Sequence, residues 1–219
     1  MHSLSEENYL KAIFHTSLKD NDAVNTNALA EQLGHKAPTV TDMVKKLAGK
    51  DLIIYEKYRG VMLTNKGNTE ALKIVRKHRL WEVFLVEKLG IGWHEVHDIA
   101  EQLEHIQSDI LVERLDRLLG YPQFDPHGDP IPNANGVLPQ ISSIPLNECE
   151  LNVPLVFTGI GDHSTAFLTH LDKIGLTIGK SIVIESIEEY DKSCTILLDN
   201  QVQMKLSFQV SKNIFCTKR

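Results

Sequence analysis

The chain has 219 residues, 42% of them apolar, and a formal net charge of −6. This length and composition allow a buried core and either one large domain or two to three small ones. No stretch approaches the length needed to cross a bilayer and the N-terminus lacks the features of a targeting segment, so we expect a cytoplasmic protein without membrane contact. The three cysteines are widely spaced and form no CxxC motif, which predicts reduced, buried thiols instead of a disulfide framework or a structural zinc site.

The negative charge is concentrated in the middle of the chain. Residues 71–150 carry 7 basic and 13 acidic side chains, whereas residues 1–70 carry 9 of each and residues 151–219 carry 7 of each. Within residues 35–66 there are seven basic and three acidic side chains, a local balance of +4. A basic surface that binds nucleic acid is therefore compatible with this acidic protein.

Apolar residues at helical spacing predict three short helices in the first third of the chain. They are centred on Tyr9–Phe14, Leu29–Leu33 and Val40–Leu47, with Gly34 between the second and the third. This is the layout of a helix-turn-helix, in which the N-terminal end of the second helix of the motif meets base edges and phosphates. A generic three-helix bundle with a solvated lysine face is the alternative.

The segment DLIIYEKYRGVMLTNKG follows these helices and contains two apolar runs on either side of a basic tip. This pattern predicts a β-hairpin. A hairpin in this place is typical of a wing, and together with the local positive charge it favours DNA binding over the bundle alternative.

The rest of the chain changes from helical to extended patterns. Helical periodicity runs over Thr69–Leu89 and again over His94–Leu119, with a break at Gly90–Trp93. The segment Gly120–Asn147 is rich in Pro, Gly, Asn and Asp, which predicts loop and linker. Three short β-type runs then predict a small β domain, at Ser181–Ile184, Cys194–Leu198 and Gln201–Phe208.

The segment HDIAEQLEHIQSD, residues 97–109, places two histidines and two glutamates on one narrow face if it is helical, because residues advance about 100° each. The four are His97, Glu101, Glu104 and His105. The apolar side chains on the other side, which we expect to face the core, are Ile99, Leu103, Ile106 and Ile110. The first face carries only metal-ligand chemistry, although a solvated, salt-bridged surface has the same pattern.

Other histidines and carboxylates of the chain also have metal-ligand chemistry. His78 and Glu82 lie four residues apart on one predicted helix, which favours a metal site. The metalloprotease pattern needs a second histidine four residues after the first, and position 98 is Asp, so that idea fails. In DPHGDPIP, His127 and Asp129 have ligand chemistry, but the prolines and glycine around them make a turn the simpler interpretation.

Six segments resemble, in order, the signatures of the diphtheria-toxin-repressor family of metal-dependent transcriptional regulators. They are SEENYLKAI, LAEQLGHKAPTVTDMVKKLA, YEKYRGVMLTNKG, RKHRLWEVFLVEKLG, VHDIAEQLEHIQSD and DPHGDPIP, and they cover nearly all of residues 5–133. LTHLDKIGLTIG, within residues 151–219, resembles the family's third, SH3-like domain more loosely. The resemblance implies a winged-helix repressor with a dimerisation domain that holds two divalent-metal sites, and operator binding that needs the metal.

The resemblance also implies metal ligands at matching positions. The primary site would use Asn8, Glu101, Glu104 and His105. The second would use His78, Glu82 and His97, and the candidates for further ligands from the third domain are Asp162 and His163. Imidazole and carboxylate ligands suit Mn(II) or Fe(II), and other divalent transition metals such as zinc, cobalt and nickel.

Two positions depart from the family pattern. The first-helix ligand is usually an aspartate or a methionine, whereas Asn8 offers a neutral and weaker amide oxygen. Manganese-type members place a glutamate where this chain has Lys11, and a protonated lysine cannot bind a metal. We therefore expect a weaker primary site and no transfer of the paired-metal geometry of those members.

These observations predict a mainly α protein with a small β domain: a winged helix-turn-helix over residues 1–70, a helical metal-binding and dimerisation domain over 71–147, and an SH3-like barrel over 148–219. We expect a homodimeric, metal-activated transcriptional repressor that binds double-stranded operator DNA, with Mn(II) or Fe(II) as corepressor. The residues expected at bases and phosphates are Pro38, Thr39, Thr41 and Asp42, and those expected on the DNA backbone are Lys36 and the wing tip, Lys57, Tyr58 and Arg59.

Two other classes of function remain as alternatives. A metalloenzyme would use Glu101 or Glu104 as a base beside a metal-bound water, but neither a nucleophile motif nor a Gly-rich phosphate loop supports it. A metal-binding module could instead recruit protein partners through the β domain.

Overall fold

The computed structural model describes residues 2–20, 23–56, 59–140 and 142–219. They form two compact units, each described separately below. The first unit contains Met1–His78, Glu101–Ile110 and Pro132–Val137, and the second contains Arg79–Ala100, Leu111–Ile131 and Leu138–Arg219. None of the described helices is long and apolar enough to span a membrane.

The first unit contains the predicted winged helix-turn-helix. Its elements are α1 (Leu4–Asp20), α2 (Thr26–Gln32), α3 (Ala37–Gly49), β1 (Ile53–Glu56), β2 (Gly60–Leu63) and the first half of α4 (Asn65–Leu89). The strands β1 and β2 are antiparallel, with Ile53 opposite Leu63 and Glu56 opposite Gly60. The hairpin therefore lies where the two apolar runs predict it.

Local sequence explains how the helix-turn-helix begins and ends its helices. The side chain of Asn25 accepts a hydrogen bond from the backbone N–H of Asn27 at the start of α2, which satisfies one of the free donors of a helix N-terminus. After α2, Gly34 adopts a φ of +64°, a conformation that favours glycine. Pro38 lies in the first turn of α3, where its missing N–H costs nothing.

The prediction of one long helix over His94–Leu119 is wrong. The chain forms α5 (Val96–Leu103) and α6 (Asp109–Leu118), and residues 104–108 between them are not helical. The backbone N–H of Ile106 donates to the carbonyl of Leu103, which closes a turn where a helical bond to residue 102 would be expected.

The predicted core face of that segment is also wrong in part. Ile106 is 37% exposed and Ile110 61% exposed, whereas Glu104 is completely buried. Between residues 94 and 110 the buried positions are Val96, Ala100 and Glu104, which follow at intervals of four. We call the face with His97, Glu101, Glu104 and His105 the stripe. It therefore includes a buried position, Glu104.

The second unit contains a helical part and a β part. In the helical part, Leu80 and Val83 of α4 belong to one apolar cluster with Leu115 of α6 and Ile131. The β part is a six-stranded antiparallel sheet in the order β3-β8-β4-β5-β6-β7. Its strands are β3 (Ile144–Pro145), β4 (Pro154–Ile160), β5 (Ser181–Ile187), β6 (Cys194–Leu198), β7 (Val202–Leu206) and β8 (Ile214–Lys218), with the helices α7 (Thr165–Ile174) and α8 (Phe208–Ser211).

Alternation along the strands builds the core of this β part. In β6, Cys194, Ile196 and Leu198 are buried and the residues between them are half-buried, as expected for a strand with one covered face. Cys149 and Cys216 are buried in the same core, and all three cysteines are free thiols. The predicted burial of the thiols is confirmed, and so is the predicted combination of helical parts with a small β domain.

Candidate metal centres and nucleic-acid interface

In the first unit, α1 directs a lysine at two glutamates of the stripe. Lys11 Nζ lies 2.7 Å from Glu104 Oε2 and also donates to Glu101 Oε1. His78 Nδ1 lies 2.6 Å from the same Glu104 oxygen. Burial alone would raise the pKa of Glu104, but the hydrogen bonds and positive charge supplied by His78 and Lys11 outweigh it and hold that pKa below its ordinary range.

Glu7 is a member of this group that the sequence analysis missed. Its Oε2 lies 2.6 Å from His105 Nδ1, and its Oε1 accepts a hydrogen bond of 2.5 Å from Gln107 Nε2. Because a carboxylate only accepts, the hydrogen of a neutral His105 ring lies on Nδ1, and the Nε2 lone pair is free to bind a metal. No local motif marks Glu7, since His105 is 98 residues away in sequence.

The polar atoms that remain in this group fit a cation. Glu104 Oε1 and Asn8 Oδ1 are buried without a hydrogen-bond partner among the described residues. His105 Nε2 lies 3.8 Å from Glu104 Oε1, too far for a hydrogen bond. A buried acceptor without a donor costs about 1–3 kcal/mol. A divalent ion beside these oxygen and nitrogen atoms would remove that cost, so the four predicted primary-site residues have the chemistry for one.

The other face of α1 holds the helix-turn-helix. Glu6 is buried, and its Oε1 lies 2.6 Å from Lys50 Nζ, just beyond α3, and 3.1 Å from Lys46 Nζ of that helix. Tyr9 shares a hydrogen bond of 2.9 Å with His35 Nδ1 in the turn before α3. α1 therefore contacts both the stripe glutamates and α3, the second helix of the helix-turn-helix.

In the second unit, Glu82, Asp125 and His127 form a separate group. All three are buried, and one possible ligand atom from each lies within 4.8 Å of the others. Burial and the charges of Glu82 and Asp129 raise the pKa of Asp125. Burial would lower the pKa of His127, but the Glu82 carboxylate outweighs it and raises that pKa. Arg79, whose Nε lies 3.7 Å from Asp125 Oδ2, opposes part of the rise in the Asp125 pKa.

His127 is oriented for ligation. Its Nε2 lies 2.9 Å from the carbonyl oxygen of Trp93, which can only accept, so in the neutral ring that a metal requires Nε2 carries the hydrogen and the Nδ1 lone pair faces Glu82 at 3.6 Å. Such a fixed tautomer is the usual arrangement of a metal-binding histidine. His97 approaches the other oxygen of Glu82, with Nδ1 3.5 Å from Oε1.

The turn interpretation of DPHGDPIP is correct but incomplete. Asp125 Oδ1 accepts hydrogen bonds from the backbone N–H groups of His127 and Asp129, and the backbone N–H of Gly128 donates to the Asp125 carbonyl. The same turn aims His127 at Glu82, which the local sequence could not reveal because Glu82 lies on a distant helix.

The two candidate ligands from the third domain occupy different environments. Asp162 Oδ1 accepts a hydrogen bond from the backbone N–H of Ser164 before α7. His163 Nε2 lies 3.3 Å from Asp129 Oδ2, and its ring packs edge-on against that of His127. His163 therefore borders the Glu82 group, while Asp162 has a local structural partner.

The predicted DNA-contacting residues lie mostly at the surface. Thr41 is half-buried, and its hydroxyl donates to the carbonyl of Ala37. Arg59 is exposed and pairs with Glu56 at 3.0 Å. Lys57 and Tyr58 lie outside the described residues. The remaining predicted positions, all exposed, are Lys36, Pro38, Thr39 and Asp42.

This chain combines a winged helix-turn-helix with buried groups of histidine and carboxylate side chains. That combination is typical of metal-responsive DNA-binding regulators. Three sequence profiles match the chain in agreement with this class. The N-terminal DNA-binding domain of iron-dependent repressors matches residues 1–61, their metal-binding and dimerisation domain matches 64–133, and the FeoA domain matches 144–218.

Individual relatives identify the family. A diphtheria toxin repressor of Corynebacterium glutamicum is 31% identical over 169 residues, which cover 77% of this chain and 72% of the relative. An uncharacterised HTH-type transcriptional regulator of Methanocaldococcus jannaschii is 42% identical over 113 residues, 52% of this chain and 90% of the relative. A solved manganese-dependent transcriptional repressor in complex with manganese has a TM-score of 0.86 at 35% identity, covering 98% of this chain and 100% of that one.

The chain therefore belongs to the diphtheria-toxin-repressor family of metal-dependent transcriptional repressors, and the predicted resemblance is confirmed. This family consists of DNA-binding regulators and not of enzymes, so the metalloenzyme alternative is not favoured. The assignments of individual metal-binding and DNA-binding residues, and the three domain boundaries, stay predictions.

Proposed function

We propose that this chain is a cytoplasmic repressor that binds operator DNA as a homodimer with Mn(II) or Fe(II) as corepressor. The observation that carries the proposal is the double contact of α1, which holds the helix-turn-helix on one face and the stripe glutamates on the other. The choice of Mn(II) or Fe(II) is inferred from the relatives, since the matching profiles describe iron-dependent repressors and the solved neighbour is a manganese-dependent one.

Asn8, Glu101, Glu104 and His105 would hold the corepressor. A divalent ion, when bound, supplies a charge that two carboxylates and two neutral donors share. Asn8 belongs to α1 and the other three to residues 101–105, so their convergence ties α1, and with it the helix-turn-helix, to that segment. An untied helix-turn-helix would lose conformational freedom on binding DNA, and this ordering would lower its affinity.

Exposed apolar side chains support the homodimer. In the second unit, Leu118 of α6 is 62% exposed and Leu89 at the end of α4 is 57% exposed. The profile that covers both residues describes a dimerisation domain. Their exposure in one protomer is compatible with a surface that a second copy covers, and the profile carries the greater part of this argument.

Replacing Glu104 by Gln tests the primary site. The carboxamide fills the same buried space but removes the negative charge, so we expect metal-stimulated DNA binding to fall by at least about tenfold with the dimer intact. His105→Ala should act in the same way. Gel shifts on the chain's own upstream DNA, with Mn(II) and with chelator, measure the effect, and sedimentation checks the dimer.

The matched control is His170→Ala, which removes an exposed histidine from α7. It should leave metal-stimulated binding unchanged. Full metal-dependent DNA binding by both Glu104→Gln and His105→Ala would show that the primary-site assignment is wrong.

We also propose that Glu82, Asp125 and His127 form the second metal site, with His97 beside Glu82. Their burial, the proximity of their ligand atoms and the fixed His127 ring support a divalent ion there. His127→Ala should lower the bound Mn(II) from two ions to one per protomer, as counted by native mass spectrometry. Two ions bound to the variant would remove His127 from the site.

A further inference from the structure

We propose that Lys11 is a built-in cation of the primary site, which competes with the metal for Glu101 and Glu104 and so sets the metal concentration at which the repressor responds. The inference rests on the proposed function, because it assigns a role to a residue that contacts the proposed ligands. It goes beyond that function because Lys11 itself cannot bind a metal.

The contacts of Lys11 carry the first step. Its ammonium group donates to Glu101 Oε1 and lies 2.7 Å from Glu104 Oε2. Only 10% of the lysine side chain is exposed, and Glu104 is completely buried. A buried ammonium between two carboxylates makes strong, charge-assisted hydrogen bonds. Two of the proposed metal ligands therefore already have a cation in the metal-free protein.

The position of Lys11 makes its effect resemble that of the metal. Asn8 and Lys11 lie three residues apart on α1, so they share one face of the helix. The ammonium therefore connects α1 to residues 101–105, the same two parts of the chain that the proposed ion would connect. Lys11 keeps the two elements together in the metal-free state, although it leaves Asn8 Oδ1 and Glu104 Oε1 without partners.

Charge balance explains why the two cations compete. Glu101 and Glu104 together carry two negative charges when ionised, which one divalent ion neutralises. An ammonium and a divalent ion held by the same two carboxylates would repel each other in a largely buried place, which is unfavourable. Glu104 Oε1 and His105 Nε2, which Lys11 does not contact, would hold the ion, and Lys11 would give up its contact with Glu101.

Removing the lysine charge tests the inference directly. Calorimetric titration of Mn(II) into the full chain, without DNA, should show at least tenfold tighter binding at the primary site in Lys11→Met, while Lys11→Arg, which keeps the charge, should stay within about threefold of the wild type. Lys73→Met is the matched control, because Lys73 forms an exposed ion pair with Glu70 on α4. Unchanged or weaker Mn(II) binding by folded Lys11→Met would overturn the inference.

A second measurement uses the wild-type chain and so does not depend on the variant folding. Lys11 should react slowly with an amine-specific acetylating reagent in chelator and at least fivefold faster with saturating Mn(II), as quantified by peptide mass spectrometry. Equal reactivity in both conditions would show that the lysine is not displaced, and the inference would fail. Calorimetry and labelling together support the inference even if gel shifts show no metal effect on DNA binding, an outcome that contradicts the proposed function instead.

Discussion

At the scale of single residues, the two oxygens of Glu104 have opposite environments. Oε2 accepts from both Lys11 and His78, whereas Oε1 is buried without a hydrogen-bond partner among the described residues. The Glu104 carboxylate is therefore well paired at Oε2 and unsatisfied at Oε1. A cation on the Oε1 side would supply the missing partner and leave the Oε2 contacts unchanged.

Glu6 provides a pH test that is independent of metal. Burial would raise its pKa, but hydrogen bonds from Lys50, the backbone of Ser3 and Lys46 outweigh it and lower the pKa to about 2. Because the folded pKa lies below the ordinary value, the Glu6 contacts stabilise the fold fully above about pH 4.5, and this stability is lost as the pH falls towards 2. We discount its size to about 2 kcal/mol, since solvent screens the partly exposed lysines.

Glu6→Gln should therefore be less stable than the wild type at pH 6, and the difference should shrink as the pH falls to 3. Urea unfolding of metal-free protein at a series of pH values measures it. Glu70→Gln, which removes a more exposed glutamate on α4, should show a smaller and flatter difference. A gap between Glu6→Gln and wild type that does not change with pH would contradict the role given to Glu6.

At the scale of elements, the sequence predicted turns and helix starts correctly where neighbouring residues alone determine them. The turn between α2 and α3 follows from Gly34, and the start of α3 from Pro38, because backbone conformation there depends on neighbouring residues. The prediction of a single helix over His94–Leu119 is wrong because the chain turns after residue 103, although apolar and polar residues keep their helical spacing beyond it. Periodicity does not record where a backbone changes direction.

The recognition helix and the wing should contribute differently to DNA binding. Lys36 and Arg59 are expected on phosphates, so replacing either by Ala should weaken binding to all sequences alike and reduce the salt slope by about one unit each. Arg59 must exchange its Glu56 partner for phosphate. Asp42→Asn should instead change which operator sequences are preferred.

Binding isotherms at several salt concentrations measure these slopes. Lys73→Ala, an exposed lysine on α4 outside the expected interface, should leave the slope unchanged. An unaltered slope for Arg59→Ala would remove the wing from the DNA interface.

At the scale of the whole molecule, the contacts that complete the metal groups join distant parts of the chain. Glu7 meets His105 across 98 residues, and Lys11 meets Glu104 across 93. His127 meets Glu82 from a separate turn. Single-sequence patterns predicted the residue types in the stripe and their spacing, but these partners depend on the tertiary fold, which periodicity does not describe. Only the resemblance to the family connects Asn8 with these residues.

The choice of metal depends on the donor atoms that this fold collects. The resemblance to the family implies that its iron-tuned members carry cysteine at the position of Glu101 and methionine on the first helix, both soft sulfur donors. This chain offers carboxylate oxygens and the Asn8 amide, and hard donors favour manganese relative to softer ions. We therefore predict that Mn(II) activates DNA binding at least as well as Fe(II), even though general affinity orders place manganese below iron.

Anaerobic DNA-binding titrations with each metal at cellular concentrations measure this preference. Glu101→Cys should shift the response towards Fe(II), because it replaces a hard oxygen donor by a soft thiolate and also removes one carboxylate partner of Lys11. Glu101→Asp, which keeps an oxygen donor, should preserve the order of the two metals even if it weakens both responses. Activation of the wild type by Fe(II) alone, with Mn(II) inert, would contradict the hard-donor argument.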